Sequence, residues 1–343
     1  MGNVLASSPG FSSPLPTSPI PPSPTIPGQG DKEASQSSLE PPVSDGLPGV
    51  EDAFPNNPGT MEDLHKKCKD VFPVVFEGGK FMLNKPISNH FQVAHTLNFS
   101  SIQPSGYKFS ATYVGMKQTG PAEAYPVLLG EIDPSGNLSA NMIHQFTPNL
   151  KGKVVAQIQQ SKCQATQMSA DWRGSDYTAS LTLGNIDIVN DFSGVIVGHY
   201  LQKITPKLDL GAEIAYQRGP QVPGGHIAVH SMAGRYTGDK YVASGTIGGA
   251  GLHLCYYRKA SETLQFGVEL ESSAKMQEST ASFAYQVDIP KANFTFRGTV
   301  DTNWTIGAVI EKKLMPLPFT FALSAVHNYP KNQFKLGCGF IVG

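Results

Sequence analysis

Residues 208–217 read Leu-Asp-Leu-Gly-Ala-Glu-Ile-Ala-Tyr-Gln, and residues 264–271 read Leu-Gln-Phe-Gly-Val-Glu-Leu-Glu. In both stretches an apolar side chain occupies every second position. Side chains along an extended strand point alternately to opposite faces, so this period predicts strands with one apolar and one more polar face. Similar runs, separated by turn clusters such as Asp133–Asn137, continue from about residue 91 onward and suggest about eighteen strands of roughly 8–11 residues.

The strands follow one another closely, with no helical crossover between them, which predicts antiparallel neighbours. Their length is what a tilted strand needs to cross a bilayer. Only 15% of the residues are charged, against roughly 25% in a typical soluble domain. The second face of the strands carries Gly, Ser, Thr, Ala and Gln. Strands with an apolar outer face and a mildly polar inner face are typical of an all-β transmembrane barrel. On these grounds alone, a large soluble β protein remains an alternative.

The chain before the strands divides into two parts. Residues 1–59 are rich in Pro, Ser and Gly, and residues 1–60 hold one basic and six acidic side chains, a net charge of −5. This composition predicts a disordered arm. Residues 60–73 follow, where apolar positions at helical spacing and Pro73 predict one short helix over Met61–Phe72. Its apolar and basic positions are Met61, Leu64, Lys66, Lys67 and Phe72.

Several functional classes find no support in the sequence. The formal net charge of −1 argues against nucleic-acid binding through bulk charge. No set of residues suggests an enzyme or a cofactor site. The cysteines Cys68, Cys163, Cys255 and Cys338 are widely spaced, which argues against a clustered zinc site or a redox dithiol. His226 and His230 would lie about 13 Å apart along a strand, so we predict no metal site.

Two sets of motifs resemble one family. The C-terminal residues Lys335, Gly337, Phe340 and Val342 fit the sorting signal of mitochondrial outer-membrane barrels, in which a polar residue, a glycine and alternating hydrophobic residues follow one another. Further segments resemble the channel subunit of the translocase of the outer mitochondrial membrane, of the animal type, across about residues 60–343 and the first six residues. These segments are Met1–Ala6, Asn89–Val93, Tyr113–Gly115, Gln159–Lys162, Arg173–Tyr177, Thr182–Asn185, His199–Gln202, Pro290–Asn293 and Glu311–Leu314.

The resemblance implies a mitochondrial porin fold over residues 74–343, with about nineteen strands, a parallel pair of first and last strands, and the short helix inside the lumen. The strand missing from our count would lie near Lys80–Asn84, or two strands would be merged around Gly225–Tyr236. The implied function is import of cytosolically made precursor proteins across the mitochondrial outer membrane. The implied partners are precursors with presequences, receptor subunits, small single-helix subunits, the lipid bilayer and further copies of the barrel.

A pore for basic presequences should attract them weakly at many points, so that they can also leave. By strand parity the lumen-facing acids are Asp209, Glu213, Glu269, Glu271 and Asp288, and we expect them to form acidic patches along the presequence path. The alternative is that these acids are ordinary solvated charges balanced by Lys108, Arg297 and Lys335. In the same fold, a metabolite porin that favours anions is the alternative function.

Overall fold

The computed structural model describes residue 54 and residues 56–101, 105–120, 123–159, 162–187, 193–219, 224–249, 251–274 and 277–343. The predicted arm, residues 1–59, therefore lies almost wholly outside the described residues. A short 3₁₀ turn, Pro290–Ala292, separates two of the strands. Within the described ranges no helix is long and apolar enough to cross a membrane.

Nineteen β-strands make up almost all of the regular structure in the described ranges. They are β1 Gly78–Ser88, β2 Phe91–Phe99, β3 Gly106–Gly120, β4 Glu123–Ile132, β5 Leu138–Gln145, β6 Leu150–Gln159, β7 Lys162–Arg173, β8 Tyr177–Asp187, β9 Ser193–Thr205, β10 Leu208–Arg218, β11 His226–Thr237, β12 Tyr241–Gly248, β13 Gly251–Lys259, β14 Leu264–Ser273, β15 Glu278–Ile289, β16 Phe294–Asp301, β17 Thr305–Leu314, β18 Phe319–Asn328 and β19 Gln333–Val342.

The strands form one sheet in which each strand pairs antiparallel with its neighbours in sequence, and β1 and β19 pair in parallel. The parallel register runs from Gly78 opposite Gly337 to Leu83 opposite Val342. The sheet is therefore a closed barrel, as predicted. The strand missing from the sequence count is β1, near Lys80–Asn84, and β11 is one continuous strand rather than two merged ones.

The two faces of the barrel differ as the alternation predicts. Large apolar side chains point outward, and Ile214, Met232 and Ile247 remain 61%, 67% and 60% exposed in the isolated chain. The opposite face carries residues such as Asp209, buried by other parts of the chain. An exposed apolar belt around a closed barrel is the surface that lipid chains cover, so the outer face is suited to a bilayer.

Residues 56–77, here called the lumenal segment, lie against the inner face. Backbone and side-chain contacts join this segment to strands from β8 round to β19, always at positions of the polar face. A segment that contacts so many strands of a closed barrel on that face lies inside it. The location inside the barrel agrees with the prediction for the helix, although the extent of the helix does not.

The predicted helix over Met61–Phe72 is wrong in its length. Across residues 61–72 the structure contains only the four-residue helix α1, Lys66–Lys69, flanked by turns such as Leu64 N–H to Met61 O at 3.2 Å. His65, Cys68 and Val71 are spaced by three residues, and turns of three residues keep them on one face. His65 and Cys68 contact the wall, and Val71 is buried. Contacts with the wall thus override helix propensity, which stabilises so short a segment only weakly.

The seam between β1 and β19 is held by aromatic contacts outside and a close backbone approach inside. Outside, the Phe340 ring stacks on Phe81 with ring centroids 6.0 Å apart and also contacts Phe319 at 5.3 Å. Inside, the backbone of Phe76 crosses directly over Gly337, and a Cβ at that position would overlap the Phe76 carbonyl group. Gly337 is therefore required by the path of the lumenal segment.

We predict that Gly337→Ala lowers the free energy of unfolding by about 1–3 kcal/mol, because the added methyl group forces Phe76 away from the wall. The measurement is urea unfolding of the refolded chain in detergent. Gly130→Ala is the matched control, since a Cβ there meets no atom within 4 Å. Equal stability of the two variants would contradict the role given to Gly337.

Candidate functional site

The candidate functional site is the lumen, whose free space is set by how the lumenal segment is attached. At its start, the Asn57 side-chain amide donates to the carbonyls of Gly174 and Tyr177 at 2.9 and 3.0 Å. The Thr178 hydroxyl donates to Asn57 Oδ1 at 3.1 Å. The Asn57 side chain therefore fixes the segment to the turn between β7 and β8.

A buried ion pair provides the next attachment. Asp209 on β10 and Arg235 on β11 are directly opposite in the register, and Arg235 Nε and Nη2 donate to Asp209 Oδ2 at 2.9 and 2.7 Å. Arg235 Nη2 also donates to the Pro58 carbonyl. The Asp209 side chain is only 6% exposed. The carboxylate thus holds the arginine that holds the lumenal segment, and it is closed to a passing polypeptide.

Apolar and polar contacts follow along the segment. Leu64 packs with Leu201 and Ala233 as a small buried cluster, with Met61 at its edge. His65 lies within hydrogen-bond distance of two hydroxyls of β12, with Nδ1 2.8 Å from Ser244 Oγ and Nε2 3.0 Å from Thr246 Oγ1.

The protonation state of His65 follows from its burial. Desolvation lowers the pKa of its imidazole to about 4, with smaller effects in the same direction from His253 and Lys69. The ring is therefore neutral at physiological pH, which suits its position between two hydroxyl groups and next to a second imidazole.

The end of the segment leads into the barrel wall. Cys68 is buried, and its thiol donates to the carbonyls of Tyr256 and Val268 at 3.6 and 3.4 Å. The Phe76 N–H donates to the Ser324 hydroxyl of β18 at 3.1 Å. The segment therefore follows the inner wall from β8 to β19 before the chain turns into β1.

The remaining predicted acids also face the lumen. Glu213 accepts a hydrogen bond from His199 Nε2 at 3.0 Å, and Asp288 accepts one from the Gln286 amide at 2.7 Å. Glu269 lies 2.7 Å from His253 Nε2 and 3.9 Å from Lys69 Nζ. Glu271, on the same strand, is the most open of the group, with its side chain 64% exposed. The structure therefore brings Glu269 and Glu271 together and leaves Glu213 and Asp288 on other strands.

The C-terminal signal residues are divided between the two faces of β19. Lys335 and Gly337 point inward, and Phe340 and Val342 point outward toward the lipid-facing surface. Of the residues predicted in the helix, Leu64 is buried, Phe72 contacts Gly267, and Lys67 is exposed to the lumen. Lys66 lies 3.9 Å from Asp63.

Known proteins resemble this chain over nearly all of its length. The eukaryotic porin family matches residues 57–337. The mitochondrial import receptor subunit TOM40 homolog of Xenopus laevis is 49% identical over 100% of both chains. TOM40 homolog 2 of Drosophila melanogaster is 56% identical over 84% of both chains, and the TOM40 homolog of Homo sapiens is 52% identical over 84% of this chain and 78% of its own.

The chain belongs to the TOM40 branch of the eukaryotic porin family. The resemblance found in the sequence motifs is thereby confirmed, together with the family's closed barrel. For this TOM40-type porin, the sequence motifs did not identify the residues that fasten the lumenal segment. Asn57, His65 and Arg235 carry no sequence signal, because their partners lie more than 100 residues away along the chain.

We expect Arg235→Met to lower the free energy of unfolding by about 3–5 kcal/mol, because Asp209 is left charged, buried and unpaired. Urea unfolding of the refolded porin measures this loss. The double variant Arg235→Met with Asp209→Asn should recover much of it. Lys259→Met removes an exposed ion pair with Glu262 and serves as the control, with less than about 1 kcal/mol expected. A similar effect of Arg235→Met and Lys259→Met would rule out the assigned role.

Proposed function

We propose that this chain forms the channel through which cytosolically made precursor proteins cross the mitochondrial outer membrane. The observation that carries the proposal is its 49% identity, over the full length of both chains, to a protein named as a mitochondrial import receptor subunit. The barrel adds an apolar outer belt for the bilayer and a polar lumen that contains a folded segment. Both are needed by a channel that passes polar, unfolded polypeptide.

The proposed mechanism is weak electrostatic guidance of basic presequences. Glu213, Glu269, Glu271 and Asp288 lie on the lumenal face of β10, β14 and β15. None of them accepts two hydrogen bonds from one arginine, as Asp209 Oδ2 does from Arg235. In a water-filled lumen each carboxylate attracts a cation by only a modest amount, and salt screens it. Several such carboxylates hold a presequence without trapping it.

The proposed function implies partner proteins and no enzymatic activity. Receptor subunits would deliver precursors, small single-helix subunits would pack on the apolar outer wall, and several barrels would assemble in one membrane complex. An apolar surface such as that around Ile214 and Met232 can meet either lipid or a partner helix. We assign no enzymatic activity to the chain, since transport through a pore needs no covalent step.

A metabolite channel that favours anions is the alternative within the same family. The two functions differ in the charge that the lumen favours. A lumen whose open carboxylates include Glu271 and Asp288 should favour cations, whereas a metabolite pore for anions should not. A planar-bilayer measurement of ion preference separates them, and anion preference would overturn the proposed function.

Presequence binding is tested with the double variant Glu271→Gln and Asp288→Asn. We expect block of the reconstituted channel by a basic presequence peptide to begin about tenfold more slowly than in the unchanged chain at low salt, because two attracting charges are removed. Single-channel recording measures the block rate as a function of peptide concentration. The difference should shrink as salt rises, since screening shortens the reach of both charges.

The matched control is Asp239→Asn with Glu262→Gln. It makes the same change in net charge at two turn residues whose side chains are 92% and 85% exposed. If both double variants slow the block equally, the effect is one of overall charge and the proposed path is wrong. Unchanged block in both would equally contradict it.

The C-terminal sorting signal is tested on one strand. Phe340→Ser with Val342→Ser should reduce insertion of the newly made chain into isolated mitochondria, measured as carbonate-resistant protein. Leu336→Ser with Cys338→Ser changes the same outer face of β19 and is the control. Equal losses would mean that the strand needs apolar character in general and that Phe340 and Val342 carry no specific signal.

A further inference from the structure

A group of potential metal ligands lies where the lumenal segment meets β12, β13 and β14. The register places Ser244, Cys255 and Glu269 in one row across these strands, and Thr246, His253 and Glu271 in the next. His65 of the lumenal segment lies over both rows, bonded to Ser244 and Thr246. Imidazole, thiol and carboxylate groups from both parts of the chain are thereby collected at one place.

Three donor atoms of the wall form a close triangle. His253 Nε2 is 3.4 Å from Cys255 Sγ and 2.7 Å from Glu269 Oε1, and Cys255 Sγ is 4.0 Å from Glu269 Oε1. A tetrahedral zinc ion with bonds of about 2.0–2.3 Å keeps its ligand atoms about 3.3–3.8 Å apart. An ion therefore fits the triangle after side-chain shifts of about half an ångström.

The lumenal segment supplies a fourth donor. One ligand atom each of His65, His253 and Cys255 lies within 4.8 Å of the others, and Glu269 belongs to a second such group with His253 and Glu271. His65 and Glu269 must therefore move toward each other for both to bind one ion. The His65 and His253 rings are 4.3 Å apart between centroids. If one His65 nitrogen binds an ion, the other keeps a hydroxyl partner on β12. Metal-bound histidines commonly have such an outer hydrogen bond, which fixes the ring orientation.

The burial and the donor chemistry of this cluster suit a divalent ion. Cys255 is 3% exposed, and its thiol faces an imidazole and a carboxylate rather than apolar side chains. On binding, the Cys255 thiol releases its proton to water, and the resulting thiolate and the Glu269 carboxylate together carry two negative charges, which a divalent cation neutralises. Two imidazoles, one thiolate and one carboxylate form a donor set suited to zinc, whereas magnesium and calcium require oxygen ligands.

We propose that His65, His253, Cys255 and Glu269 bind one Zn²⁺ ion, which fastens the lumenal segment to the barrel wall. The ion joins one ligand from the segment to three from β13 and β14. Its binding adds to the attachment made by Asn57 and Arg235. The proposal does not rest on the proposed import function, although the ion would occupy Glu269, one of the carboxylates proposed to guide presequences. Glu213, Glu271 and Asp288 remain free for that role.

The test uses the full-length chain, refolded in detergent and freed of metal with a chelator. Co²⁺ replaces Zn²⁺ as a probe, because a tetrahedral cobalt–thiolate site absorbs visible and near-ultraviolet light. We expect one Co²⁺ per chain with a thiolate band that one equivalent of Zn²⁺ removes. Cys255→Ser should abolish the thiolate band. His65→Ala should weaken Zn²⁺ binding at least as much as loss of an outer-shell partner, about tenfold to a hundredfold.

Two controls separate this site from chance binding. Cys163→Ser and Cys338→Ser remove the two exposed thiols and should leave the spectrum unchanged. His65→Ala leaves every strand intact, so circular dichroism should report the same β-sheet content.

In the unchanged chain Zn²⁺ should slow tryptic cleavage after Lys66 and Lys67, and in His65→Ala it should not.

Several results would overturn the proposal. One is a cobalt band that persists in Cys255→Ser, and another is the absence of any stoichiometric thiolate band. A third is a disulfide between Cys68 and Cys255, whose side chains are in contact, seen as a mass two daltons lower that reductant restores. Loss of peptide block without loss of zinc binding would instead count against the proposed import function alone.

Discussion

The barrel depends on one constraint, that every backbone N–H and C=O group within the hydrocarbon must find a partner in the protein. A sheet meets this requirement only if its first and last strands pair. With an odd number of strands and antiparallel neighbours throughout, the closing strands necessarily run in the same direction. The parallel pair of β1 and β19 is a consequence of that arithmetic, and the ring contacts of Phe340 with Phe81 and Phe319 strengthen it.

Closure also determines where the lumenal segment can go. The segment ends at Glu77, directly before β1, and so its path ends at the seam itself. Its backbone passes over Gly337, which explains why the strand that completes the barrel carries glycine at an inward position. Gly337 thus belongs to the predicted sorting signal and also leaves the space that the crossing backbone requires.

Alternation predicted most of the fold because lipid outside and water inside impose opposite preferences on successive residues, as on Leu208–Gln217. It missed β1, where the adjacent residues Phe81, Met82 and Leu83 break the period, and it gave too long a helix because wall contacts reshape residues 61–72. Parity placed the acids on the correct face. Whether a carboxylate is accessible from the lumen or covered, as Asp209 is by Arg235, depends on contacts between different parts of the chain. A single sequence does not reveal those contacts.

The lumenal segment gives this channel an inner lining that is distinct from its wall. Every strand residue must fit the barrel and also face either lipid or the lumen, so substitutions in the strands are restricted. The segment lies inside the barrel, and its side chains Glu62 and Lys67 are exposed to the lumen. Substitutions in these roughly twenty residues can therefore change the selectivity of the pore while the barrel stays the same.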